Sequence, residues 1–218
     1  MIWEWIPRNA ALILSLLGQH LVLSLVPVII GLVLAVPLGW LANRSRAARA
    51  ILIPAAGVLY TVPSLVLFIV LPVILGTRIL DPINVVVALA IYTVALLVRS
   101  VADALAAVPS LVVAAATAMG FRPGRRFVAV EFPLAVPVLV AGLRVATVSN
   151  ISLVSVGALI GVGGLGQLFT QGFNNNFPTE VVVGIVLSMV LALFADALLV
   201  TLGRFATPWS RVGAGRPA

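Results

Sequence analysis

The sequence predicts an all-α integral membrane protein of about five transmembrane helices, on the strength of its composition, the lengths of its apolar runs and the placement of its arginines. Of 218 residues, 62% are hydrophobic and 9% charged. A soluble domain needs roughly 25% charged residues to coat its surface, so this chain belongs in a bilayer. The five runs follow in order. The first spans about 20–42 and ends at Asn43-Arg44-Ser45-Arg46; the second spans 51–75 and is interrupted by Pro54, Pro63 and Pro72. The third, 83–98, is short and borrows Arg99 and Ser100 by snorkelling. The fourth runs from Leu134 to about Ile160, and the fifth from Val181 to Leu202. Residues 9–18 are too short to cross alone and are expected to form an interfacial helix anchored by Trp3 and Trp5, which also makes His20 interfacial. Glu4 precedes the first apolar stretch and no small-residue cleavage site follows it, so the first span reads as permanent rather than as a signal peptide.

Ten arginines (44, 46, 49, 99, 122, 125, 126, 204, 211 and 216) fall on one side of this arrangement, against Arg8 and Arg78 on the other. The positive-inside rule then places the N-terminus outside and the C-terminus in the cytoplasm, as five spans require. The net charge of +7 is accounted for by topology and forms no separate basic domain, which removes the case for nucleic-acid binding. Lysine and cysteine do not occur and His20 is the one histidine. Without lysine the chain holds no P-loop ATPase site; without thiols it holds no Cys/His zinc cluster, and no metal site is expected. Catalytic chemistry is not expected of this chain, and any ATP hydrolysis falls to a partner.

The largest cytoplasmic segment is 99–133. Pro109 opens a short helix and Gly120 closes it, because a helix C-cap favours a residue that tolerates positive φ. Arg122-Pro-Gly-Arg-Arg is a basic turn, and Pro133 starts the fourth span. Within it, Ala114-Ala-Ala-Thr-Ala-Met-Gly120, nine residues, then Val130-Glu-Phe-Pro133 resembles the EAA loop of ABC importer permeases. Ala114 stands where that family usually has Glu, and Phe132 where it has Leu. Tyr60-Thr-Val-Pro-Ser-Leu, Ala141-Gly-Leu-Arg-Val-Ala-Thr-Val and Gly157-Ala-Leu-Ile-Gly-Val-Gly-Gly-Leu-Gly166 are similar to the osmoprotectant branch, with its glycine betaine, carnitine and choline permeases. Methionine permeases share the Gly-Gly-Leu-Gly element.

The resemblance implies a type I, MetI-like ABC permease fold with a cytoplasmic coupling helix. It divides the chain into an N-terminal extracytoplasmic or interfacial segment (1–19), a permease domain (20–205, coupling segment 109–133) and a cytoplasmic tail (206–218). Ala114, Ala115, Ala116, Gly120, Arg122, Val130 and Pro133 are then the residues that couple to an ATPase. The implied partners are an ABC ATPase dimer carrying ATP and magnesium, a second permease subunit, identical or paralogous, an extracytoplasmic binding protein and the membrane lipid. The implied function is ATP-driven import of an osmoprotectant across the cytoplasmic membrane. Methionine or another amino acid is the alternative cargo, and an ion-coupled secondary transporter is the distant one. The latter would show an internal repeat and several midplane acids, whereas one acid, Asp196, lies inside a span.

Polar groups inside the spans are the candidate pathway. Arg144 and Asp196 either pair as a structural bridge or line the route. Ser149 and Ser152 share a helical face beside Asn150, and either line a hydrated cavity or bond neighbouring helices. Tyr60 and Ser64 flank Pro63 and either form another pathway face or mark only the kink that Pro63 imposes. Gly163, Gly164 and Gly166 also match a dinucleotide-binding fingerprint, but no soluble strand-turn-helix unit surrounds them. They read instead as a close-packing element or an outer gate, with Asn174-Asn-Asn-Phe-Pro178 as an outer turn facing the binding protein or a plain loop.

Overall fold

The computed structural model describes residues 2–211, which contain no strand. The α-helices are α1 (Trp5–Arg8), α2 (Ala10–Arg44), α3 (Arg46–Thr61), α4 (Ser64–Leu75), α5 (Pro82–Ala106), α6 (Ser110–Ala118), α7 (Pro123–Arg126), α8 (Phe132–Gly157), α9 (Gly166–Asn174) and α10 (Pro178–Ala206). Arg216 and most of the expected tail lie outside the described residues.

Residues 10–18 are the first turns of α2 and not a separate interfacial helix. Nothing there breaks a helix, and Ile13 and Leu16 bury against Leu165 and Leu168, which rewards continuation. At 35 residues α2 is roughly 52 Å long, well beyond the ~30 Å hydrocarbon core, so it crosses and projects past it. The third span is also longer than expected, because α5 continues through Arg99 to Ala106, with Asp103 paired to Arg49 outside the apolar layer.

α5 is the central helix and packs against α2, α3, α4 and α8. Its approach to α2 depends on a stripe of small residues one turn apart, Gly31, Ala35 and Gly39. A Cβ on Gly31 would stand 2.3 Å from Thr93 Cγ2, and one on Gly39 would stand 2.5 Å from Val101 Cβ. Apolar lipid gives no hydrophobic incentive for helices to associate, so such close backbone contact is a main source of cohesion here.

The second span is broken. α3 and α4 meet at Val62-Pro63 with a bend of 102°. Pro63 offers no N–H and holds Val62 extended, at φ −64° and ψ 129°. The freed Val62 carbonyl accepts a hydrogen bond from the Tyr92 hydroxyl. The pair nonetheless traverses the layer, because its contacts climb α5 in order: Arg49 to Asp103, Val62 to Tyr92, and Thr77 to Asn84. From residue 103 to residue 84 is roughly 28 Å of helix rise, close to a full hydrocarbon thickness. Counted as one crossing, the pair joins α2, α5, α8 and α10 to give five crossings among the described residues.

At the other bend, residues 127–131 form a π turn that runs directly into α8. Pro133 has no N–H, and its ring would crowd the carbonyl four residues earlier in a regular α-helix. A widened turn just before it relieves that conflict.

Candidate coupling and translocation site

The candidate coupling segment closes as a Schellman motif. Gly120 has φ +83°, its N–H donates to the Thr117 carbonyl at 3.0 Å, and the Phe121 N–H donates to the Ala116 carbonyl at 3.1 Å. Ala116 is buried against the body while Ala114 and Ala115 are exposed. Leu111 on this short helix and Met119 just after it are 80% and 71% exposed. An apolar face of this kind, outside the spans, is unusual without a covering partner. Arg122 is the exposed, extended residue before α7, and Val130 and Pro133 sit half-buried in the π turn and at the start of α8.

Two residues not singled out in the sequence hold this segment together. Arg126 Nε donates to the Glu131 carboxylate, and its Nη1 donates to the Thr117 hydroxyl at 2.7 Å. Glu131 is buried, so one arginine ties α6 to the root of α8. Residues five apart do not share a face in an α-helix; the π turn brings them together. Behind the segment, Trp40 packs on Phe127 and Phe127 on Phe132, with ring centroids 5.5 and 5.6 Å apart.

The pathway candidates divide. Tyr60 lines a cavity of about 400 Å³ between α3, α5 and α8, together with Gly57, Arg99, Ser100, Gly142 and Val145. Half-buried Ser149 and exposed Ser152 lie one and two turns further along the Val145 face of α8. Ser64 is half-buried at the start of α4. Asn150 points the other way: it is 2% exposed and its amide donates to Thr93 Oγ1 at 2.9 Å, with a longer 3.4 Å contact to the Ser24 carbonyl. Arg144 and Asp196 pair with each other in a bidentate bridge between α8 and α10, Nε to Oδ1 and Nη2 to Oδ2, both at 2.7 Å.

His20 is fully buried, which corrects the expectation of an interfacial residue. Its Nδ1 accepts the Leu165 N–H at 3.1 Å and its Nε2 contacts the Ile151 carbonyl at 2.9 Å. A backbone N–H can only donate, so Nδ1 is the acceptor and Nε2 carries the proton of a neutral ring. The ring thereby ties the glycine-rich segment to α2 and α8. Gly164 makes room for the ring, since a Cβ there would stand 3.1 Å from His20 Nδ1, while one on Gly163 would reach within 2.2 Å of Gln19 Oε1 and one on Gly166 within 2.6 Å of the Ser155 carbonyl, so the segment packs closely on α2 and α8. Beyond it, α9 ends at Asn174, and Asn176 takes φ +51° in the turn before α10. A His20→Leu variant orphans the Leu165 N–H and the Ile151 carbonyl in a dry interior, at about 1–3 kcal/mol each. Thermal unfolding of the detergent-purified protein should show a clearly lowered midpoint, and an unchanged midpoint would refute this role.

Comparison with known proteins agrees with the geometry. The family model described as "Binding-protein-dependent transport system inner membrane component" matches residues 27–206. An ergothioneine transport permease/ergothioneine binding protein of Helicobacter pylori (strain G27) is 38% identical over 164 residues, 75% of this chain, which spans only 29% of that longer protein. An osmoprotectant import permease protein of Salmonella typhimurium is 33% identical over 203 residues, covering 92% of this chain and 94% of the relative. In fold, the chain superposes on a chain of the MetNI methionine ABC transporter, inward facing, with TM-score 0.82 at 23% identity, covering 92% of this chain and 98% of that one. With this match, five crossings and an EAA-like segment closed by Gly120, the chain belongs to the binding-protein-dependent transport system inner membrane components, the permease subunits of ABC importers.

Proposed function

We propose that this chain is the membrane-spanning subunit of an ATP-driven importer for small quaternary-ammonium osmolytes of the glycine betaine, carnitine and choline type. The observation that carries the cargo class is the match over nearly the whole chain to a relative named for osmoprotectant import. The fold likeness to a methionine transporter, at 23% identity, speaks to architecture and not to cargo. Two such permease subunits enclose the route, an extracytoplasmic binding protein delivers the solute, and two ATPase subunits, which hold ATP and magnesium, seat the exposed face of α6. The N-terminus lies outside and the C-terminus in the cytoplasm, a reading supported by Arg44 and Arg204 in the last turns of α2 and α10.

Closure of the ATPase pair moves α6, and Arg126 passes that displacement to Glu131 and the root of α8. α8 carries Gly142 and Val145 on the cavity wall, with Ser149 and Ser152 further along the Val145 face, so a movement at the cytoplasmic root changes access to the route. ATP and the loaded binding protein each bias this two-state equilibrium only through different affinities for its two states. The test is uptake of labelled glycine betaine, choline and methionine by cells lacking this chain, with and without complementation. Loss of betaine or choline uptake that the chain restores is expected; loss of methionine uptake alone would replace the cargo assignment.

A further inference from the structure

Resting on the reading of the α3, α5 and α8 cavity as the route, we infer that Tyr60 and Arg99 form a two-point contact for a zwitterion, so that the permease itself favours betaine-type solutes over purely cationic ones. A quaternary ammonium has no N–H to donate, so in an apolar cavity its favourable partners are aromatic faces and carboxylates. Among the described residues no carboxylate lines this cavity, and Tyr60 is the one aromatic residue that does. Its ring is 47% exposed and is braced edge-on by Tyr92, with centroids 5.9 Å apart at 81°. Tyr92 is itself fixed by its hydroxyl bond to Val62 at the break, so the platform is rigid.

Arg99 is the one charged residue on the cavity wall among the described residues. Its side chain is 73% exposed and reaches Asp103 only at 3.7 Å, while the other Asp103 oxygen takes Arg49 at 2.8 Å. One carboxylate thus serves two guanidinium groups, and the mouth of the cavity keeps positive charge. Tyr92 and Arg99 stand two turns apart on α5, roughly 10 Å along its axis, and an arginine side chain is long enough to reach back over part of that distance. A solute with a trimethylammonium group and a carboxylate meets the ring at one end and the guanidinium at the other. A cation such as choline gains the ring but is repelled by Arg99.

The test uses the assembled transporter in proteoliposomes, with uptake of glycine betaine and of choline each taken relative to wild type, so that the preference of the binding protein cancels. Arg99→Gln should shift the choline-to-betaine ratio about tenfold towards choline, the effect of removing one like charge at partly screened range. Arg99→Glu should shift it further. Tyr60→Leu should slow both solutes and Tyr60→Phe should retain them. A control separates the two readings: Gly57→Trp puts a large side chain into the cavity from a position where a Cβ meets nothing within 4 Å, and immunoblots and thermal unfolding of the variant establish that it is inserted and folded. If Gly57→Trp blocks uptake while both Arg99 variants leave the ratio unchanged, the two-point contact is overturned and the route stands. If Gly57→Trp transports normally, both are overturned.

Discussion

A Gly120→Pro variant is expected to insert and cross the membrane normally yet lose ATP-driven uptake. Gly120 holds φ +83° and donates its N–H to Thr117, and proline can do neither, since its ring fixes φ near −65° and removes the donor. A proline in such a place costs roughly 3 kcal/mol, so the correctly closed coupling segment becomes about a hundredfold rarer. The site is open, with nothing within 4 Å of a Cβ, so steric crowding plays no part and the backbone angle alone decides. The graded series follows from that: Asn, which visits the left-handed region readily, should retain most transport, Ala should lose part of it, and Pro nearly all. Immunoblots of washed membranes establish equal insertion, and uptake assays read the series. Equal transport by all four chains would remove the coupling role from this turn.

The second large effect is expected at the bridge between α8 and α10. Asp196→Ala leaves the Arg144 guanidinium within the apolar layer without its bidentate partner, an arrangement that helices in lipid tolerate poorly. The variant should accumulate in the membrane several-fold less than wild type, and Arg144→Ala should show the same in milder form. Replacing both, Arg144→Met with Asp196→Leu, removes the pair together and should restore both accumulation and uptake, because exchanging a paired bridge for apolar packing is often neutral or better. That outcome assigns the pair to structure. Restored accumulation with uptake still absent would assign it to the route instead.

Most of the architecture could be read from residue order, because apolar run length and arginine placement report directly on the bilayer. The EAA-like spacing located Gly120, whose left-handed turn the structure shows. The Arg144–Asp196 bridge was one of two readings that the sequence left open. What escaped depends on contacts between distant segments. A single buried histidine has no pattern of its own: His20 is explained only by Leu165 and Ile151, 145 and 131 residues away. The Arg126–Glu131 tie follows a π register that helical periodicity does not anticipate. Pro63 signalled a kink, but the 102° turn is held by Tyr92 on another helix. The Gly31, Ala35 and Gly39 stripe was not singled out in the sequence and became meaningful only beside Thr93 and Val101. Asn150 shows the same gap: polarity marked it as notable, and only packing revealed that it faces Thr93 and not the cavity.

The central claim is that this chain moves its solute through ATP hydrolysis on a partner. It is tested most directly by measuring solute uptake in cells whose ATP pool and proton-motive force are lowered separately, by arsenate and by a protonophore. Uptake that collapses with ATP and survives the protonophore while ATP is maintained is the predicted result. Uptake that follows the ion gradient and is indifferent to ATP would contradict the account and return the chain to the class of secondary transporters.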